Sequence, residues 1–257
     1  MFFLPLSDDN DTVYSAMVVW LIIGLCTAVF IWQTTLAPHA RDGATVAFGM
    51  IPARLFGDAR LPAGLSVVPA WATIFTSMFM HGGWLHLIGN MWFFRIFGDN
   101  VEDSMGSTRF AFFYLLVGAA AAMAQAAMAP ESHVPMVGAS GAIAGVMGAY
   151  LMLYPRANVR VLMVFFLFIR ILNVPAVLVL GIWFFLQVIG AERAPADTGG
   201  VAFWAHIGGF MAGLVLLPLF KHASVPLFGE ARSRAFLLSG PRPRRTGRIP
   251  DAGRRDR

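Results

Sequence analysis

The sequence predicts an all-α fold, a polytopic membrane bundle of six transmembrane helices. Composition is the first observation behind this: of 257 residues, 58% are hydrophobic and 13% charged. Mean hydropathy is the second, at +0.68, far above that of a soluble globular chain. The third is that the apolar residues gather into six runs of the length, about 20 residues, that crosses roughly 30 Å of hydrocarbon.

The first run, 13–36, follows the acidic stretch "SDDND". It has no basic region before it and no small-residue cleavage site after it, so it reads as a retained helix rather than a signal peptide. The next are 82–101, 109–129, 137–154, 174–191 and 201–220. The apolar stretch 161–169 is too short to span and is separated from the fifth run by Pro175. It reads as a re-entrant or interfacial piece of the connecting loop, with a tilted extra helix as the alternative. Cys26 is the single cysteine, so no internal disulfide can form.

Ten of the nineteen basic residues lie in 221–257, which ends "SGPRPRRTGRIPDAGRRDR". So basic and apolar-poor a segment reads as a disordered cytoplasmic tail under the positive-inside rule, and not as a nucleic-acid binder. With six helices the N-terminus is then cytoplasmic too. Arg109, Arg156 and Arg160 fall on the inner side and the loop 130–136 has no Lys or Arg. Residues 37–70 carry Arg41, Arg54 and Arg60 against the rule; their length, two acids and apolar patches suggest an outer loop lying partly in the interface. The expected division is a short N-terminal segment, 1–12, a membrane domain, 13–220, and the tail, 221–257.

Polar groups inside spans are costly and mark function by default. Three helices begin with them: "MHGGWLHLIGNMWFF", "VGASGAIAG" and "FWAHIGGFMAG". Ser140 precedes Pro155 by 15 residues, His206 precedes Lys221 by 15 and His86 precedes Glu102 by 16. At 1.5 Å per residue, all three lie about 22–24 Å above the inner face, in the outer leaflet. His86 and Asn90, four apart, share a helix face; His81 is about 140° away from His86 and reads as a cap or interfacial residue.

Small residues should bring two of these helices together. One offers Gly141, Ala144, Gly145 and Gly148, the other Gly208, Gly209, Ala212 and Gly213. Taken alone, Ser140 is a helix-start cap, His206 a satisfied interior histidine and the glycines plain packing. Together they supply an acyl-transfer site: a hydroxyl, an imidazole base, and oxyanion donors in the Ser140 backbone N–H, the His86 ring and the Asn90 amide. No intramembrane Asp or Glu is placed to complete a triad, so the site is a Ser–His dyad.

These motifs resemble the rhomboid family of intramembrane serine proteases over about residues 71–217. "GASG" at 138–141 is similar to the family's nucleophile motif, with Gly138 and Gly141 around Ser140. "AHIGG" at 205–209 matches its Ala-His-x-x-Gly and makes His206 the base, with Gly209 and Gly213 in support. "HGGWLHLIGN" at 81–90 matches its His-x-x-x-x-His-x-x-x-Asn, assigning oxyanion stabilisation to His86 and Asn90. "GDNVEDSMG" at 98–106 resembles its Gly-x-x-x-Glu, where Glu102 is a structural hydrogen-bonding residue at the inner face. Two departures stand out: Trp71-Ala72 replaces the Trp-Arg of many members, and Ala144 replaces the Tyr that some stack on the histidine. His206 must be oriented by something else, such as helix packing.

The resemblance implies a rhomboid-like membrane fold, transmembrane protein substrates cut near the outer end of their helix at small residues, and no cofactor. Lipid is the other expected partner; oligomeric state is not legible. An arginine-rich chain with both termini inside suggests a bacterial plasma membrane. Three rivals make different demands. A catalytically inactive, client-binding relative would lack Ser or His. A transporter would show internal repeats or charged helices. A metalloprotease needs H-E-x-x-H, whereas His81 and His86 are five apart with no Glu between them.

Overall fold

A computed structural model describes residues 2–10, 12–13, 15–57, 59–166, 168–193 and 199–229. The basic stretch 230–257, and with it most of the expected tail, lies outside the described residues. The chain runs β1 (Phe2–Asp8), α1 (Met17–Thr35), α2 (Pro38–Phe48), α3 (Pro52–Leu55) and α4 (Thr73–Thr76), the last flanked by 3-10 turns. It continues α5 (Trp84–Met105), α6 (Ser107–Met128), α7 (Ser140–Leu153), β2 (Asn158–Phe165), β3 (Phe168–Pro175), α8 (Ala176–Arg193) and α9 (Phe203–Phe220).

The six predicted spans appear as α1, α5, α6, α7, α8 and α9, with ends shifted by a few residues. Among the described residues, α1, α6, α8 and α9 are long and apolar enough to cross a membrane alone. The other two depart for separate reasons. α5, 22 residues and about 33 Å long, carries Arg95, Asp99, Glu102 and Asp103 in its second half. α7 has only 14 residues, about 21 Å, which is short of the hydrocarbon thickness. It need not match that thickness, because it does not face lipid: every residue from Gly141 to Tyr150 is buried among the other helices.

α5 and α6 are joined through Gly106 alone, at φ +80°, a backbone conformation in which a side chain would be strained. At the same end of the bundle, His222 N donates to Ser104 O (2.9 Å), while Phe228 N and Gly229 N donate to Met152 O and Leu153 O (both 2.8 Å). These bonds level the ends of α5, α7 and α9.

The short apolar run 161–169 is neither a re-entrant piece nor a tilted helix. It forms the hairpin β2–β3, which pairs with β1 into a three-stranded antiparallel sheet in the order β1-β2-β3. The reason is local composition: "NVRVLMVF" and "FIRILNVP" are rich in β-branched and aromatic residues and too short for a spanning helix. Val159 and Val161 sit in the helical core, and Trp92 Nε1 donates to Pro5 O (2.6 Å), so the sheet is fastened to the bundle. Because β1 pairs with β2, the N-terminus and the α7–α8 connection share one face, as an even number of crossings between them requires.

The opposite face is built by residues 36–83 and 129–139. Met50 and Met136 exchange backbone bonds of 3.0 and 2.8 Å, and Ala53 N donates to Ser132 O (3.1 Å). Two of the three arginines that ran against the charge rule are employed there on carbonyls. Arg41 caps the end of α1 at Gln33 O (2.9 Å) and Thr34 O (3.1 Å), and Arg54 bonds Val68 O.

Candidate active site

Glycine sets the distance between α7 and α9. A Cβ on Gly213 would strike the Gly145 carbonyl, one on Gly209 the Gly141 carbonyl, and one on Gly148 the Phe210 carbonyl. The two backbones are therefore in contact through three successive turns, the close approach that small residues permit. The first of these turns carries Ser140 on α7 and His206 on α9. A Cβ on Gly141 would press on Ala121 of α6 at 2.7 Å and lie 3.5 Å from Ala205 of α9.

From the levelled ends, Ser140 is 13 residues up α7, His206 14 up α9 and Asn90 15 up α5. At 1.5 Å each these are heights of about 20–23 Å. One cavity of about 600 Å³, opening between the connecting segments of the sheet-free face, is lined by Ser140, His206, His86, Asn90 and Gly138 together. His81 does not line it; its backbone is clamped by Gln33, which accepts from His81 N (3.0 Å) and donates to His81 O (3.2 Å).

Ser140 is the first residue of α7, and the N-cap before it, Ala139, makes no side-chain cap bond. The Ser140 hydroxyl therefore sits at a helix N-terminus where the first N–H groups have no intrahelical partner. Gly138 precedes it at φ +131°, and a Cβ there would come 2.8 Å from His86 Nε2 and 3.7 Å from Asn90 Nδ2. Only glycine lets the segment before Ser140 lie this close to both side chains. His86 Nδ1 faces Gly82 N–H at 3.5 Å, which leaves Nε2 as the protonated, donating nitrogen on the Gly138 side. Asn90, 8% exposed, has a buried Nδ2 with no acceptor. A buried donor without a protein partner is costly, and at the cavity that Asn90 lines it is suited to a ligand oxygen.

His206, 8% exposed, holds Gln187 Oε1 at 2.8 Å from Nδ1, and the Trp183 ring lies 5.7 Å from its own. Both residues are on α8 and both were missed from the sequence. The signal was a lone glutamine at membrane depth, and it was general: Gln33 on α1 clamps His81, Gln125 on α6 accepts from Ala205 N (3.3 Å), and Gln187 meets His206. Glu102, 2% exposed, accepts from Val18 N (3.0 Å), Val19 N (2.9 Å) and the Ser107 hydroxyl (2.5 Å), joining the start of α1 to the α5–α6 corner. Among the described residues no group of His, Cys, Asp and Glu could hold a metal ion.

The Rhomboid domain family model matches residues 69–222. Rhomboid-like protein 11, chloroplastic, of Arabidopsis thaliana is 30% identical over 163 residues, 60% of this chain and 54% of that protein. RHOMBOID-like protein 6, mitochondrial, of the same plant is 40% identical over 81 residues, 32% of this chain and 25% of that protein. Rhomboid protease GluP of Bacillus subtilis (strain 168) is 29% identical over 170 residues, 65% of this chain and 30% of that protein. The chain thus matches between a quarter and about half the length of these relatives. With the family model covering more than half of its residues, on the helices that surround the cavity, the chain belongs to the rhomboid family and has its polytopic helical membrane fold.

Proposed function

We propose that the chain is an intramembrane serine endopeptidase, with Ser140 as nucleophile, His206 as general base, and His86, Asn90 and the Ser140 N–H as oxyanion donors. The observation that carries this reading is the convergence of a hydroxyl, an imidazole and an orphaned amide donor on one cavity at one depth.

The chemistry follows from the geometry. His206 Nε2 takes the Ser140 proton as Oγ attacks the substrate carbonyl carbon. The carbonyl oxygen becomes an anion and receives hydrogen bonds from Asn90 Nδ2, His86 Nε2 and the start of α7. The His206 imidazolium then protonates the departing amine, the C–N bond breaks, and the acyl group stays on Oγ. Water, deprotonated by the same imidazole, attacks the ester and releases the acid and the free serine.

A peptide bond in a transmembrane helix is shielded by its own hydrogen-bond ladder, and unsatisfied backbone in lipid is expensive. The substrate must unwind into the cavity, which favours small residues with Gly, Pro or polar neighbours near the cut. The basic segment after α9 supports a cytoplasmic sheet face and a cavity on the outer side of the membrane, read here as a bacterial plasma membrane. Residues 13–220 then form the membrane domain, with 1–12 before it and 221–257 as a cytoplasmic tail.

The test is labelling of the full chain in proteoliposomes by a serine-directed fluorophosphonate, together with cleavage of a single-span substrate. Wild type should label and cut. Ser140→Ala and His206→Ala should fall to background with folding intact, because nucleophile and base act as one unit. Near-normal turnover in either variant sinks the dyad, and an unlabelled but client-binding wild type would favour the inactive relative. Product termini mapped by mass spectrometry should fall at the outer end of the substrate helix; cuts at the cytoplasmic end overturn the orientation.

A further inference from the structure

A histidine serves as a base only if the correct nitrogen carries its lone pair, and neutral imidazole has two tautomers. α8 makes the choice for His206. Gln187 Nε2 donates to the Trp183 carbonyl one turn earlier, at 3.1 Å. With the amide nitrogen committed, Oε1 is the atom that faces His206, and an amide oxygen can only accept. The 2.8 Å contact therefore requires the proton on Nδ1 and leaves the lone pair on Nε2. Trp183, with its ring tilted 37° to the imidazole, lines the same side of the histidine. Gln187 and His206 are both nearly buried, so water does not compete for this bond. No carboxylate among the described residues hydrogen-bonds the ring.

We propose that Gln187 is the positioning residue of His206, a neutral acceptor that holds the Nδ1–H tautomer and the ring plane through a side chain on a neighbouring helix. The proposal rests on the serine protease reading above. It explains how the site works without a third ionised group: when Nε2 takes the Ser140 proton, the imidazolium still donates from Nδ1 to the Gln187 amide dipole. No second charge has to be kept at membrane depth. The simpler role, in which Gln187 only joins α8 to α9 as polar glue, predicts different behaviour.

Gln187→Met removes the acceptor at similar length, and Gln187→Glu replaces it with an acidic one. Both are made in the full chain, with the rate of Ser140 labelling measured against pH. The Met variant should label about tenfold more slowly, the factor equivalent to one ordinary hydrogen bond, with its thermal midpoint close to wild type. Its acid limb should move to lower pH, because the imidazolium has lost an acceptor. The Glu variant should move the limb to higher pH. Limbs that stay in place in both variants, or a Met variant that labels at the wild-type rate, overturn the proposal. If the Met variant fails to fold, the direction of the Glu limb decides alone. A readout independent of activity separates this from the protease reading: nitrogen NMR of the His206 ring should show Nδ1 protonated and Nε2 bare in wild type, and a mixture in the Met variant. A protonated Nε2 in wild type refutes the assignment whether or not the protein labels.

Discussion

Two of the helices packed on α9 hold it in opposite ways. α7 meets it backbone to backbone through glycine, with no side chain between them across three turns. α8 meets it through side chains, with Gln187 and Trp183 on His206, Trp183 and Phe184 on Phe210 and Gly190 beside Phe203, and turns Val177, Leu178, Ile182, Phe185 and Leu186 outward. The first contact sets where His206 stands relative to Ser140, and the second sets which way its ring faces. A rigid backbone seam and a set of side-chain contacts thus divide the placing of His206, so the two contacts should break differently.

The largest effect is expected at the seam. In Gly213→Ala the new Cβ meets the Gly145 carbonyl, and backbone cannot move aside without parting the helices. The variant should lose at least about 3 kcal/mol of stability and all Ser140 labelling. On α8, a Cβ on Gly181 meets nothing within 4 Å. Gly181→Ala should keep full activity and change stability by about 0.5–1 kcal/mol in the favourable direction, as expected for helix propensity. Thermal unfolding in detergent with labelling checks both. Equal tolerance of the two substitutions would mean that the seam does not set the distance.

Much of this contrast was legible in the sequence, and the limits were physical. Hydropathy over windows of helical length found all six helices, and the glycines of 141–148 and 208–213 announced a close approach. The same windows could not register β2 and β3, because eight-residue strands of period two average to a short apolar run. Ser140, His206, His86 and Asn90 stood out as hydroxyl, imidazole or motif residues. Gln187 did not, since one uncharged amide in an apolar helix has no local pattern; its meaning depends on α8 lying beside α9. The use of Arg41 and Arg54 was hidden for the same reason. Their partners are backbone carbonyls, which every residue has.

An intermediate effect is expected at the donor side of the cavity. Asn90→Ala removes the orphaned Nδ2 and leaves His86 and the α7 N–H groups in place. Turnover should fall about a hundredfold to a thousandfold, the usual worth of one oxyanion donor, with little change in stability because that nitrogen has no partner to lose. If Asn90→Ala and His86→Ala both kept the wild-type rate, the oxyanion assignment would be wrong.

The smallest effect lies farthest from the cavity, where β1 docks on the bundle. Asp8 Oδ2 accepts from the Tyr150 hydroxyl (2.6 Å) and from Asn100 Nδ2 (2.9 Å). Burial nevertheless raises its carboxyl from the ordinary 3.8 to about 6; the Tyr150 bond opposes the rise and the nearby Asp99 charge adds to it. Between those two values the docked strand holds a proton that the undocked strand does not. Docking is therefore strongest in mild acid and weakens as pH rises through about 6. Asp8→Asn keeps an oxygen for Tyr150 without the charge, so it should strengthen docking at neutral pH by about 1 kcal/mol and flatten the pH dependence. Exchange of the β1 amides with deuterium reads this directly. Since Trp92 bonds Pro5 O, its fluorescence should follow the same curve. A variant that keeps the wild-type slope through about pH 6 would show that Asp8 is not the titrating group. Because no described β1 residue lines the cavity, Ser140 labelling at neutral pH should stay unchanged throughout.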